Sequence, residues 1–224
     1  MEDFNKVYQE LLKQNANNSQ IKGNSTHLKD VNDILSNDPK QPSNIADNKI
    51  HNSENNKQQD ELSEKLFTNN IDQVIACIEK GANLDLQEKY GETALIRAIS
   101  CENYKIVELL IEKGANLDLQ DDYGRTALIK AIFYVNYNIV ELLIEKGANL
   151  DLQDKDGETA LMIAIDYNNY KIAELLIEKG ANLALKDKAK FDALYYAKQS
   201  EEKTIIKLIE DKLKKQNKDI EKIY

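Results

Sequence analysis

Histidine and proline are missing from everything after residue 51: the only examples are His27, His51, Pro39 and Pro42. The usual residue for proton transfer near neutral pH is therefore absent from the larger part of the chain, and no glycine-rich phosphate loop follows a strand pattern there. An enzyme reading survives only if His27 or His51 completes a site. Cysteine is nearly as scarce. Cys77 and Cys101 have neither metal-ligand spacing nor a disulfide-rich context, so no metal or cofactor is expected and a reducing cytoplasm is the natural setting. Positive charge is in deficit, with 30 Lys and Arg against 39 Asp and Glu and a net charge of −9, which disfavours nucleic acid and anionic membranes as partners. Long apolar runs are absent too. The greasiest segment, from Ile106 to Ile111, is interrupted by Glu108, well short of the roughly 18 apolar residues that span a bilayer. The opening MEDFNKVYQELLKQ is acidic and amphipathic, so no secretory signal is expected.

What the chain does have is self-similarity. GANLDLQEKYGETALIRAISCENYKIVELLIEK begins at Gly81, and near-copies open at Gly114, Gly147 and Gly180, a period of 33 residues. A fixed period of this length means stacked supersecondary units, each contacting only its neighbours. In each unit a threonine (Thr93, Thr126, Thr159) is placed to cap a helix that buries Leu95, Ala98 and Ile99 or their equivalents. A polar break at Glu102 and Asn103 leads into a second helix, which buries Ile106, Val107, Leu110 and Ile111 and leaves Lys105, Glu108 and Glu112 outside. The glycine that opens each copy suits the left-handed end of that helix. The stretch NLDLQ-x-x-x-G then alternates apolar and polar residues and reads as an extended arm with a hairpin-like tip.

These units resemble ankyrin repeats. The period, the G-A-x-L turn, the G-x-T-x-L-x-x-A start of the first helix and the I-V-x-L-L of the second all fall in register from about Asp60 to Asn217. The resemblance implies an all-α solenoid of helix-turn-helix units with hairpin-like loops, and a protein-binding groove lined by the hairpin tips and the first helices. Two departures stand out. Where the family reads T-P-L-H, this chain has Thr93-Ala94-Leu95-Ile96 and its equivalents, and the usual inter-helix glycine is Glu102, Val135 or Asn168. A β-branched residue at positive φ is unfavourable, so the turn at Val135 is expected to be built differently.

Polar residues mark the ends. Lys65 and Gln73 replace Ala98 and Ile106, and Lys198 and Glu210 replace Ile165 and Ile177, as in solenoid caps. The expected organisation is an N-terminal cap at 60–88, repeats at 89–121, 122–154 and 155–187, a C-terminal cap at 188–217 and a tail at 218–224. The Lys-rich stretch from Lys212 to Lys222 is interspersed with Asp211, Asp219 and Glu221 and reads as a solvated helix face. Residues 1–59 are rich in Asn and Gln and are expected to be a largely disordered arm, with two short amphipathic stretches around Phe4–Leu12 and Leu28–Leu35.

Near-identical repeats hold the scaffold constant, so the positions that differ are where recognition can be encoded. At the tips these include Tyr90 and Glu92, Tyr123 and Arg125, Asp156 and Glu158; at the end of the first helix they include Phe133 and Tyr134, Asp166 and Tyr167. Tyr123, Phe133, Tyr134 and Tyr167 are expected to form an aromatic patch beside Arg125, since Tyr and Arg dominate binding hot spots. Tyr104, Tyr137 and Tyr170 do not vary and are expected to stack between units. Asp85, Asp118 and Asp151 are assigned to hydrogen bonding within their hairpins, Cys77 to the core and Cys101 to an exposed position. The function expected is a monomeric module that grips an unidentified protein; the alternative is an adaptor or effector delivered into a host cytosol, whose arm carries a second signal. Because contacts in a solenoid are local, residues 60–224 should fold without the arm. Circular dichroism of the truncated chain should show a cooperative helical melt, and its loss would make the arm part of the core.

Overall fold

The computed structural model describes residues 61–66 and 70–221, with side chains through 216; all lie in the second of two units, Asn48–Tyr224. The Asn- and Gln-rich arm and its amphipathic stretches fall outside the described residues, as does the end of the tail. Among the described residues ten helices follow in pairs: α1 (61–66) and α2 (Ile71–Glu79), α3 (Ala94–Ser100) and α4 (Tyr104–Glu112), α5 (Ala127–Phe133) and α6 (Tyr137–Glu145), α7 (Ala160–Asp166) and α8 (Tyr170–Glu178), α9 (Ala193–Gln199) and α10 (Lys203–Glu221). Among the described residues no strand forms. The tips are tight turns, one of them 3₁₀ (Lys89–Gly91), and a single antiparallel bridge joins Gln153 to Thr159.

Side-chain caps fix where helices begin. The hydroxyls of Thr93, Thr126 and Thr159 accept from the amides of Ile96, Ile129 and Met162 at 3.2–3.3 Å, and Asp192 does the same for Tyr195 at the last unit. The polar break between helices is also a cap: Asn103 and Asn136 accept from Ile106 and Ile139, each at 3.2 Å. Such caps contribute about 1 kcal/mol apiece. At the far end Gly114, with φ 86°, closes α4 by sending its own amide to Ile111 and that of Ala115 to Leu110.

Packing follows from side-chain size. The first helices α3, α5, α7 and α9 lie against one another, and the small residues at their centres, Ala98, Ala131, Ala164 and Ala197, are essentially fully buried. Most second helices pack less closely on each other, the pair α8 and α10 excepted. Between the layers sit Leu95, Ile99, Ile106, Leu110 and their equivalents in one continuous core, each worth roughly 1.5–3 kcal/mol of burial. At the ends Gln73 and Lys198 are exposed, whereas Lys65 and Glu210 are half-buried.

Four expectations need correction. Val135 does not change its turn: its φ of 54° matches Glu102, Asn168 and Glu201 at 53–59°, and its amide reaches Ile132 as that of Glu102 reaches Ile99. Two backbone bonds and two buried helices hold the turn against a left-handed strain of roughly 1–2 kcal/mol. The invariant tyrosines do not stack on one another. Tyr104 is 40 % exposed, Tyr137 lies beneath the Lys171 ammonium at 3.9 Å and Tyr170 bonds Asn168, so the link between units there is a cation over a ring. Cys101 is half-buried at the end of α3, and burial pushes its thiol pKa up, away from thiolate chemistry. Asp85, Asp118 and Asp151 bond across units, as set out below.

Because the Val135 side chain is 55 % exposed, it gains little from burial to offset its strain. Val135→Asn, the residue present at 168, should raise stability by about 1 kcal/mol and the melting temperature by about 2–4 °C. Calorimetry that shows no gain would mean the turn is unstrained.

Candidate partner-binding face

The arms are joined edge to edge by three repeated bonds. The Asp85 carboxyl accepts from the Asn116 amide, Asp118 from Asn149 and Asp151 from Asn182, each at 2.8 Å and each reaching the next arm. Gln87 donates its side-chain amide to Gly91 in its own turn and to Gln120 in the next arm, and Gln120 and Gln153 repeat the pattern towards Gln153 and Lys186. Backbone bonds from Asp122 to Tyr90, Lys155 to Tyr123 and Lys188 to Asp156 complete the seam at 2.8–3.0 Å. The approach is close enough to require glycine at the tip: a Cβ on Gly124 would lie 2.7 Å from the Lys155 amide nitrogen.

Beneath each tip a carboxyl organises the turn. Asp121, 6 % exposed, accepts from the amides of Tyr123 and Arg125 at 2.8 and 2.9 Å; Asp154 does so from Asp156 and Glu158, and Asp187 from Phe191. Burial pushes the pKa of Asp121 and Asp154 above the usual carboxylate range, and the accepted amides pull only part of the way back.

The residues proposed from sequence separate into two groups. Glu92, Arg125 and Glu158 face inward along the seam between units. Glu92 pairs with Lys130 of the next unit at 3.1 Å and lies 3.8 Å from Arg97. Glu158 accepts from the Tyr196 hydroxyl at 2.7 Å, and Asp187 accepts from the same hydroxyl; burial first, then these two acids, push the Tyr196 pKa up. Arg125 is 5 % exposed, its guanidinium 4.7 Å from the Tyr123 ring and 4.9 Å from Phe133. It is therefore a buried hub holding tip to helix, not an open contact.

The second group remains reachable. Tyr90 is 43 % exposed at a φ of 65°, with the Lys89 ammonium 4.8 Å from its ring. Asp156 is exposed; Tyr123, Phe133, Tyr134, Asp166 and Tyr167 are half-buried. Phe133 meets Tyr167 edge to face at 5.2 Å, so two units share this part of the patch. Tyr134 stands apart from it. Burial pushes its hydroxyl pKa up, and Glu92 and Glu102 of the preceding unit add to the rise.

The inter-unit pairs were not legible as pairs. Their signal was an offset of 38 residues, which joins Glu92 to Lys130 and Glu158 to Tyr196.

Asp121 also yields a test with a definite sign. A carboxyl whose folded pKa is raised binds more protons folded than unfolded, so its contribution to stability falls as pH rises through the folded value and stays low above it. Asp121→Asn keeps an acceptor oxygen for both amides and removes the charge. It should match or exceed the parent at neutral pH, with the difference vanishing below about pH 4, whereas Asp121→Ala should cost about 1–3 kcal/mol. Denaturant unfolding across pH reads both; Asp121→Asn falling as far as Asp121→Ala would make the charge itself the stabiliser.

Comparison with curated proteins gives no match. A family model described as ankyrin repeats (three copies) matches residues 63–154 and 136–220, which together take in every described helix pair from α1–α2 to α9–α10. The chain belongs to the ankyrin repeat family.

Proposed function

We propose that the stack binds a partner protein through the face made by the hairpin tips and the first helices. Ankyrin repeats suggest protein–protein interaction, and one observation carries the choice of face: Phe133, Tyr134 and Tyr167 sit half-buried at positions where the first unit has Ser100 and Cys101, so the scaffold does not require aromatic rings there. Rings that are preorganised by half-burial, and for Phe133 and Tyr167 by an edge contact, lose little freedom on binding, the property that makes Tyr effective at interfaces. Tyr90, Tyr123, Asp156 and Asp166 border them. Glu92, Arg125 and Glu158 support the face from beneath by fixing neighbouring units. In this reading the module is a monomer that works in a reducing cytoplasm, its internal repeats at 89–121, 122–154 and 155–187 carrying the contacts between the two caps.

Affinity capture with the full chain identifies the partner, and calorimetry with variants locates the contact. Tyr134→Ala should weaken binding by about 1–4 kcal/mol. Tyr134→Phe should retain most of it, and Lys105→Ala on the outer helix face should change nothing. The proposal is falsified if Lys105→Ala abolishes binding while Tyr134→Ala binds normally.

A further inference from the structure

The fourth arm departs from the other three wherever a following arm would be served. Ala184 replaces the bridging aspartates, Lys186 the bridging glutamines, and Lys190, at φ 72°, the tip glycine. These changes leave Lys186, Lys188 and Lys190 exposed within five residues, and among the described residues none of the three forms an ion pair. Asp187 between them is turned inward: 6 % exposed, its carboxyl accepts from the Phe191 amide and the Tyr196 hydroxyl. Alongside, the Phe191 and Tyr195 rings stack at 3.7 Å with Tyr195 36 % exposed. In a chain of net charge −9 this tip joins unpaired positive charge to an accessible aromatic face.

We propose that the fourth tip is a second interaction surface, which takes a short acidic segment of another protein, carboxylates on the three lysines and an apolar or aromatic side chain on Tyr195. Charge complementarity selects the acid. A second copy of the chain is disfavoured because two like tips repel. An ankyrin arm added in register is blocked as well, since a Cβ at the equivalent glycines would lie 2.7–2.8 Å from the next arm's amide. Long polyphosphate is disfavoured by the surrounding negative charge, and three lysines span only a short ligand. This surface is independent of the aromatic face.

The test titrates a short fluorescein-labelled peptide of alternating glutamate and tyrosine into the full chain and follows anisotropy at low and at physiological salt. The expected result is binding that weakens with salt and falls about tenfold in the triple variant Lys186→Gln, Lys188→Gln, Lys190→Gly. Lys190→Gly restores the residue the other tips use, so folding should be kept; Lys188→Glu alone gives the same direction if the triple variant does not fold. Tyr134→Ala should bind the peptide normally, which separates this surface from the aromatic face. No binding at low salt, equal binding by the lysine variants, loss in Tyr134→Ala instead, or tighter binding of a single-stranded oligonucleotide of equal charge each overturns the proposal.

Discussion

Everything in this stack depends on the bond from one arm's aspartate to the next arm's backbone amide, 31 residues further on. A helix pair of seven and nine residues is too short to persist alone in water, and an extended arm without a neighbour leaves its amides to solvent. The aspartate, glutamine and backbone bonds together lock one arm to the next, and that spacing brings the first helices near enough to bury the small residues at their centres. Glycine at the tips is then a consequence of the seam: the arms are so close that no other side chain clears the neighbour. The pattern GANLDLQ is thus a record of an interface between units, written once per unit.

Copied units create a second requirement. If every seam were identical, a unit could dock against the wrong copy as well as against its own neighbour. The differences that survive in the seam run counter to that: Glu92 pairs with Lys130, and Glu158 with Tyr196. Exchanging partners would take Lys130 away from Glu92 or the Tyr196 hydroxyl away from Glu158. These pairs are partly buried, so a mismatch strands a charge with little solvent, the costly half of the salt-bridge asymmetry. Sequence variation in a repeat protein therefore need not encode partner recognition: at Glu92 and Glu158 it builds contacts between neighbouring units.

That division explains what could be read in advance. Helix limits, caps at Thr93, Thr126 and Thr159, the glycine ends and the core were legible because each is local or periodic: a hydroxyl finds an amide three residues on, and an apolar stripe repeats at helical spacing. The aromatic positions on the first helices were legible as differences against a constant background. What escaped was any contact defined by an offset near the repeat length. Asp85 looked like a residue serving its own hairpin because hairpin aspartates commonly do, yet its carboxyl lies nearer the next arm's backbone. Arg125 looked like an exposed hot spot because arginine is seldom buried; only the rings of Tyr123 and Phe133 on either side show why it is tolerated. Val135 misled in the other direction. Intrinsic preference argued for a different turn, and tertiary packing overrode it.

The last arm shows the same logic by subtraction. Ala184, Lys186 and Lys190 stand where earlier arms hold a bridging carboxyl, a bridging amide and a bare tip, and none of those devices has anything to join once no arm follows. Relieved of the seam's constraints, the residues there are free to face outward, and they are lysines beside a stacked aromatic pair. The interior of the stack uses its charges on itself, pairing Lys130 and burying Arg125. Its final turn leaves them to solvent, so the part of the fold with no neighbour of its own is also the part best placed to meet a foreign one.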